Sequence, residues 1–464
     1  MHRLRILCTL VAVVAVLAAA LAFLRDVPVV QEIQPVQQEA AYRMLYTCSR
    51  QDFKAMTVTL ATGERFTVLS DMGFDENGNL LGVYNSLGQP VIVQGQESFA
   101  LDSISYQMML LTAMNLPVTA SYSGLDPEAC GLASPAARIE ITYHSREPIV
   151  LTIGSITASG QSCYVQMAGD DSVHLVPADF HQVMTRPLKA HHRLPGAINN
   201  ASSKAVQIAI VRPGEENFIA ANYGTSERIL PWQVNSPYTH AGSTERITAF
   251  VQAVAAIHAD AYVTTVVTVE ELVTYGLDDP TRLLVAYSDG TIRDIHLGND
   301  AGDGTVYARM DSTADVYRIS TTQLPNVEGN ALDALLDRFV ALIPTTDVTA
   351  LAVRAGEEEW LLSIDASKEQ DDYAINGAEV DANVFSEAYK AVVGMQFDKT
   401  TKAEAAGTAL CQVRFSHGDG TVTGVDYYEY DYHYIQVETT GGASFLIRRE
   451  RLEEMLNVLK EAVQ

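Results

Sequence analysis

Residues 427–434 read Tyr-Tyr-Glu-Tyr-Asp-Tyr-His-Tyr, the most unusual chemistry in the chain. As a strand, the period of two sets Tyr428, Tyr430, Tyr432 and Tyr434 on one face, with Tyr427, Glu429, Asp431 and His433 on the other. Such a row offers flat apolar rings with polar tips, suited to a glycan or an extended peptide. The plainer reading is a half-buried strand packed on a helix, the usual place for strand aromatics. Histidines gather at His174, His181, His191 and His192, but no Asp or Glu stands at a ligand spacing, so no metal is expected. Asp75-Glu76-Asn77-Gly78-Asn79 has the flavour of a calcium loop, yet Gly73 occupies the first ligand position and a hairpin turn on Asn77-Gly78 explains it better. Of the cysteines at 8, 48, 130, 163 and 411, Cys130 and Cys163 fall within one unit and leave a disulfide open. No Gly-x-Ser-x-Gly, phosphate loop or dinucleotide fingerprint occurs. The expected catalytic residues and cofactors are therefore none.

The elements that must position these groups repeat along the chain. Gly131-Leu132-Ala133-Ser134-Pro135 recurs as Gly276-Leu277-Asp278-Asp279-Pro280, 145 positions later. Ile153-Gly154 matches Leu297-Gly298 at 144, Tyr164-Val165 matches Tyr307-Ala308 at 143, and 173–176 matches 316–319 at 143. Near-constant offsets over some forty positions point to one supersecondary unit used more than once. A diverged third copy places Asp419-Gly420-Thr421 against Asp289-Gly290-Thr291, Tyr434 against Tyr307 and 445–448 against 316–319, without the Gly-Leu-x-x-Pro element.

Each unit opens on an apolar strand: 56–60, 206–211 and 350–354. An amphipathic helix follows, started by Asp102, by Ser243 or Thr244, and by Asp381. The stripe is Ile247, Phe250, Val251, Val254 and Ile257 in the second unit, and Val384, Phe385, Ala388, Tyr389 and Val392 in the third. Short helices closed by glycine are expected at Asp126-Pro127 to Gly131 and at Val269–Tyr275 before Gly276. A β-meander comes next, 283–287, 292–297, 306–310 and 316–320, its first hairpin turning on Asp289-Gly290. Closing helices are expected at 331–339 and 449–463.

Ahead of these units, Ile6 to Leu24 is an apolar run of 19 residues with Thr9 its lone polar side chain. A helix of that length covers roughly the 30 Å core of a bilayer. Arg3 and Arg5 precede it and Asp26, Glu32 and Glu39 follow, so the charge bias keeps the N-terminus cytoplasmic and sends the body outside. A cleaved signal peptide ending near Ala20-Leu21-Ala22 is the alternative, and it exports the body equally. The 464 residues carry a formal charge of −26, which excludes nucleic acid as a natural partner. Beyond residue 25 the balance is 28 Lys and Arg against 57 Asp and Glu, or −29, so the body is repelled by anionic lipid and the contact with the membrane is the helix alone.

The order of strand pair, amphipathic helix, Tyr275-Gly276-Leu277-Asp278-Asp279-Pro280 and a meander holding Leu297-Gly298 and Val306-Tyr307-Ala308-Arg309 resembles the family called domain of unknown function 4340. The likeness runs over residues 45–464. It implies a membrane-anchored extracytoplasmic protein, often encoded beside ABC-type transporter components, with no established enzyme activity and no catalytic residues to carry over.

The expected architecture is α+β: a transmembrane anchor (1–25), a tether (26–41), and three tandem units (42–190, 203–340, 346–464), each an amphipathic helix with an antiparallel β-meander. The expected function is that of a single-pass, non-enzymatic interaction or scaffold protein accessory to an ABC-type transport system, with a protein partner. Two rivals stand beside it: a cell-wall glycan or peptide binder using the tyrosines, and an exported hydrolase with a site formed between units.

Overall fold

The computed structural model describes residues 43–71, 92–96, 99–199, 204–224, 229–265, 268–365 and 372–464. The run Ile6–Leu24, the tether and Asp75–Asn79 lie outside the described residues. Among the described residues no helix is long and apolar enough to cross a membrane. The chain is a β-rich α+β protein with antiparallel sheets, divided into two compact units, Met1–His191 and His192–Gln464.

The first unit is built on a seven-stranded sheet. In spatial order its strands are Arg65–Leu69, Phe53–Leu60, Ala137–Tyr143, Ile149–Ile156, Ser162–Met167, Ser172–Pro177 and Ala120–Ser123. Alternation of apolar and polar residues buries one face. Met56, Val58, Ile139, Ile141, Leu151 and Ile153 are fully buried. Phe53 joins them out of phase because a bulge between Phe53 and Ala55 resets the register. Helix α1, Ser103–Met114, covers that face through Met109, Leu110 and Ala113. Its start is fixed by the Asp102 carboxylate, which accepts the N–H of Ser105 at 2.8 Å. Helix α2, Ala178–Met184, completes the layer.

In the second unit there are two nine-stranded sheets. One runs His240–Ala241, Trp232–Ser236, Phe218–Asn222, Ala205–Val211, Thr281–Tyr287, Ile292–Asp300, Thr305–Met310, Asp315–Ser320, Ala261–Thr265. The other runs Ala378–Glu379, Asp372–Ile375, Glu358–Asp365, Ala350–Ala355, Cys411–Ser416, Val422–Glu429, Tyr434–Thr439, Ser444–Arg448, Lys399–Thr400. The sequence of connections is the same in both, and the seven strands described in the first unit follow it; among the described residues no strands correspond to the two at the first-named edge. Helices α3 (Thr244–Ala256), α4 (Val269–Tyr275), α5 (Ala382–Val393) and α6 (Arg449–Glu461) belong to this unit. Its two sheets share one hydrophobic core, from Ile208 and Trp232 to Phe445 and Leu459. Thr239 N–H donates to Gly441 O at 2.8 Å across the seam, and Phe397 stacks on Phe445 at 4.1 Å.

The repeated glycines are two halves of one lock. Gly131 and Gly276 are left-handed, at φ 73° and 66°. Each is followed by a six-to-one closure, Leu132 N–H to Pro127 O and Leu277 N–H to Leu272 O, both 2.8 Å. The partner glycine lies directly against that closure. A Cβ on Gly154 would stand 2.1 Å from Cys130 O, and one on Gly298 would stand 2.1 Å from Tyr275 O. At both places the meander carries a register shift, between Ile153 and Ile156 and between Leu297 and Asp300. The third sheet has no such glycine pair, and Val422–Glu429 pairs with Tyr434–Thr439 without a shift.

Three expectations differ from the structure. Residues 127–131 form a turn and no helix, because Asp126 leaves room for a single turn before Gly131. Thr268 starts α4 eight positions ahead of Gly276, with a full capping box to Glu271. Residues 331–339 hold a 3-10 stretch, Gly329–Leu335, which ends where Leu335 O and Asp337 N–H bond to the chain at Ser243 and Ala241. Val384 is exposed while Phe385, Ala388, Tyr389 and Val392 face the core. Cys130 and Cys163 are both free thiols: Cys130 packs with Leu132 and Val173, and Cys163 belongs to the main core.

Candidate functional site

The tyrosine run is a hairpin tip and not one strand. Tyr427 and Tyr428 end the strand Val422–Glu429, Tyr434 opens Tyr434–Thr439, and Tyr430–His433 form the turn between them. Asp431 causes the turn: its Oδ1 accepts the N–H groups of His433 and Tyr434, both at 2.7 Å. Those backbone donors, Tyr434 first, hold its carboxyl below the ordinary carboxylate range. The four tyrosines are accordingly split. Tyr428 and Tyr434 are half-buried, with Lys399 Nζ 4.5 Å above the Tyr434 ring, while Tyr430 is 43% and Tyr432 86% exposed. Tyr427 faces the core, where burial pushes its hydroxyl pKa up.

Arg449, the first residue of α6, fixes this tip. Its guanidinium pairs with both oxygens of Glu429, donates to Asp431 O at 2.7 Å and to Tyr432 O at 3.3 Å, and its own N–H donates to His433 O at 2.9 Å. The Glu429 carboxylate raises the Arg449 pKa further. Nothing in the tyrosine run names this residue, but one signal was available. Arg448 and Arg449 open a helix whose N-terminus favours acidic groups, and a cation there needs a tertiary reason. An open cleft of about 810 Å³ lies beside the tip, lined by Tyr432, His433, Tyr434, Arg448, Arg449 and Glu453. It presents one exposed aromatic ring and charges of both signs on a turn whose backbone is hydrogen-bonded to Asp431 and Arg449.

A second constellation escapes any linear scan. Ser121 Oγ lies 2.9 Å from His174 Nδ1, and His174 Nε2 lies 3.1 Å from Asp170 Oδ2. Ser121 and His174 are direct neighbours across two strands, 53 positions apart in sequence. The composition is that of an acyl-transfer triad wired through the opposite ring nitrogens. Ser121, however, sits on a straight ladder, without the sharp strand-to-helix turn that presents a nucleophile to free N–H donors. The matching pair of the second unit is Tyr262 and Tyr317. The remaining histidines are scattered: His181 is on α2, and both ring nitrogens of fully buried His191 lack a hydrogen-bond partner. Among the described residues no three His, Cys, Asp or Glu side chains gather to hold a metal ion.

The family model described as Domain of unknown function (DUF4340) matches residues 98–280 and again 232–411. The chain belongs to this family. No curated protein and no solved structure matches it. The two DUF4340 matches overlap at 232–280, the stretch holding α3, α4 and the Gly276 closure. Each begins in one sheet and ends in the next, as a family built on a recurring unit would produce.

Proposed function

We propose that this DUF4340 chain is a single-pass, membrane-anchored protein with a cytoplasmic N-terminus and an extracytoplasmic body of three tandem units, 42–190, 203–340 and 346–464. It works by binding a protein partner, as a scaffold accessory to an ABC-type transport system, and not by turning over a substrate. The observation that carries the binding reading is the hairpin tip, where a ring as exposed as Tyr432 stands on a turn held by Asp431 and Arg449. A rigid aromatic loses little freedom on association and serves as an anchor. The anchor and topology rest on Ile6–Leu24 and its flanking charges, and the three units on the shared strand order. A body of this acidity selects a partner face rich in Lys and Arg.

The test is capture of partners from crosslinked native membranes, with Tyr432→Ala as the control, at low and high salt. Specific capture of transporter components, weakened by salt and by the substitution, supports the proposal. Turnover of a cell-wall or peptide substrate, lost on changing Ser121 or another single polar residue, overturns it in favour of the hydrolase. The exposure of Tyr430 and Tyr432 also supports the glycan reading. Retention on insoluble cell wall, abolished by Tyr432→Ala, would decide for that alternative.

A further inference from the structure

We propose that helix α1 lies on the bilayer surface with its exposed apolar stripe against the acyl chains beneath the headgroups, an inference that rests on the anchor proposed above and adds a second membrane contact to it. Ile104, Met108 and Leu111 fall at i, i+4 and i+7 and share one face of α1, turned away from Met109, Leu110 and Ala113 in the core. Ile104 is 70% and Leu111 51% exposed, and Met108 is half-buried. No Asp, Glu, Lys or Arg occurs in Ser103–Met114. The helices at the same place in the other units fill these positions differently. Counted from the capping residue, Ile104, Met108 and Leu111 correspond to Glu245, Ala249 and Gln252 on α3, and to Asn383, Glu387 and Lys390 on α5, all six exposed. A helix face that meets water is polar, so the stripe of the first unit is built for an apolar neighbour.

The course of the chain names that neighbour. The described residues begin at Arg43, and Arg43–Thr47 pairs with Asn115–Val118, the strand that continues α1 without a break. Arg43 stands opposite Val118, so the point where the tether enters is about 13 Å along the ladder from the end of α1. Residues 25–42 reach at most about 60 Å, which holds the start of the body within that distance of the anchored segment. At the resulting effective concentration, a contact too weak to retain a free body is enough. Three side chains fall well short of the roughly 800 Å² a side of a stable protein interface, whereas a bilayer needs no matching shape. The acidity of the body favours a zwitterionic surface over an anionic one.

The full-length protein is incorporated into nanodiscs of phosphatidylcholine, plain or brominated on the acyl chains near the headgroup, and tryptophan emission is compared between the two. Trp232 and Trp360 are the chain's two tryptophans, both 3% exposed, and the unmodified protein gives their baseline. The indole added by Ile104→Trp, or by Leu111→Trp, should lose about half its emission or more to the bromine. The indole added by Glu245→Trp, at the matching place on α3, should lose none. Leu111→Glu combined with Ile104→Trp should restore the emission, because it forces a charge against lipid. A chain that stays outside the discs overturns the anchor reading and this inference with it. A chain that enters them overturns this inference alone if neither α1 indole is quenched, or if Glu245→Trp is quenched equally. A stripe unquenched in lipid but crosslinked from position 111 to a second copy or another protein in native membranes gives the face to a protein and overturns the assignment as well.

Discussion

Replacing Gly298 by alanine puts one methyl group where the structure has no room. Its Cβ would lie 2.1 Å from Tyr275 O and 3.1 Å from both Gly276 O and a Leu277 methyl. A carbon–oxygen contact relaxes at about 3.3 Å, so the end of α4 must retreat by roughly 1 Å. The obstacle is backbone and cannot step aside by changing rotamer. Retreat also loosens Leu277 from Val316 and the tilted ring pair Tyr275 and Tyr307, 4.8 Å apart. Overpacking of this kind costs about 1–3 kcal/mol, and a rigid neighbour places the cost near the upper end. For a unit of this size that is a fall of about 6–12 °C in melting temperature. Gly154→Ala should do the same in the first unit, since its Cβ would meet Cys130 O at the same 2.1 Å. Gly418→Ala is the control, with nothing within 4 Å of the added atom. Thermal unfolding followed by circular dichroism measures all three. If Gly298→Ala melts within a degree of Gly418→Ala, the lock between the two motifs is not what holds α4.

Acid should destabilise both compact units through buried histidines. Burial, aided by Arg186 at His191, lowers the folded-state pKa of His191 and His240, so below about pH 6.5 the unfolded chain takes a proton the folded chain refuses. Stability is then full above pH 6.5 and falls by about 1.4 kcal/mol per pH unit for each histidine as pH drops toward the folded value. Melting scans from pH 7.5 to 5 check this, and His191→Phe should flatten the slope of the first unit alone. Arg449→Met should leave global stability within about 1 kcal/mol, because its partner Glu429 is exposed, but raise amide exchange at 430–433. Unchanged exchange there would show that Asp431 alone holds the tip. Asp102→Ala should cost the first unit about 1 kcal/mol by removing the cap of α1, measurable by urea unfolding.

Elements with local causes were legible in the sequence. The caps Asp102, Asp381 and Ser243, the last read as Ser243 or Thr244, the strand read at 283–287 with its Asp289-Gly290 turn, and the helix closed by Gly276 all form near where spacing puts them. What escaped depends on partners distant in sequence. The tyrosine run alternates like a strand, and only the Asp431 side chain, which can satisfy two backbone N–H groups within three residues, turns it into a hairpin. The stretch after Leu335 is helical by composition, but the chain near Ser243 takes its carbonyl. Ser121 and His174 meet through strand pairing across 53 residues, which no local pattern encodes. The same holds for Arg449, whose targets lie in a different element.

The central position of the opening strands decides where the chain tolerates being cut. Phe53–Leu60 pairs with Ala137–Tyr143 through seven residue pairs, and Ala205–Val211 with Thr281–Tyr287 through six. A fragment spanning 98–280, the limits of the first family match, would leave 137–143 and 205–211 each with one ladder bare. Unpaired apolar edges of that length recruit strands from other chains, so such a fragment would precipitate while cuts that respect whole sheets stay in solution. The homologous segment and the folding unit are out of phase, and expression trials on relatives should begin upstream of the strand that a family boundary omits.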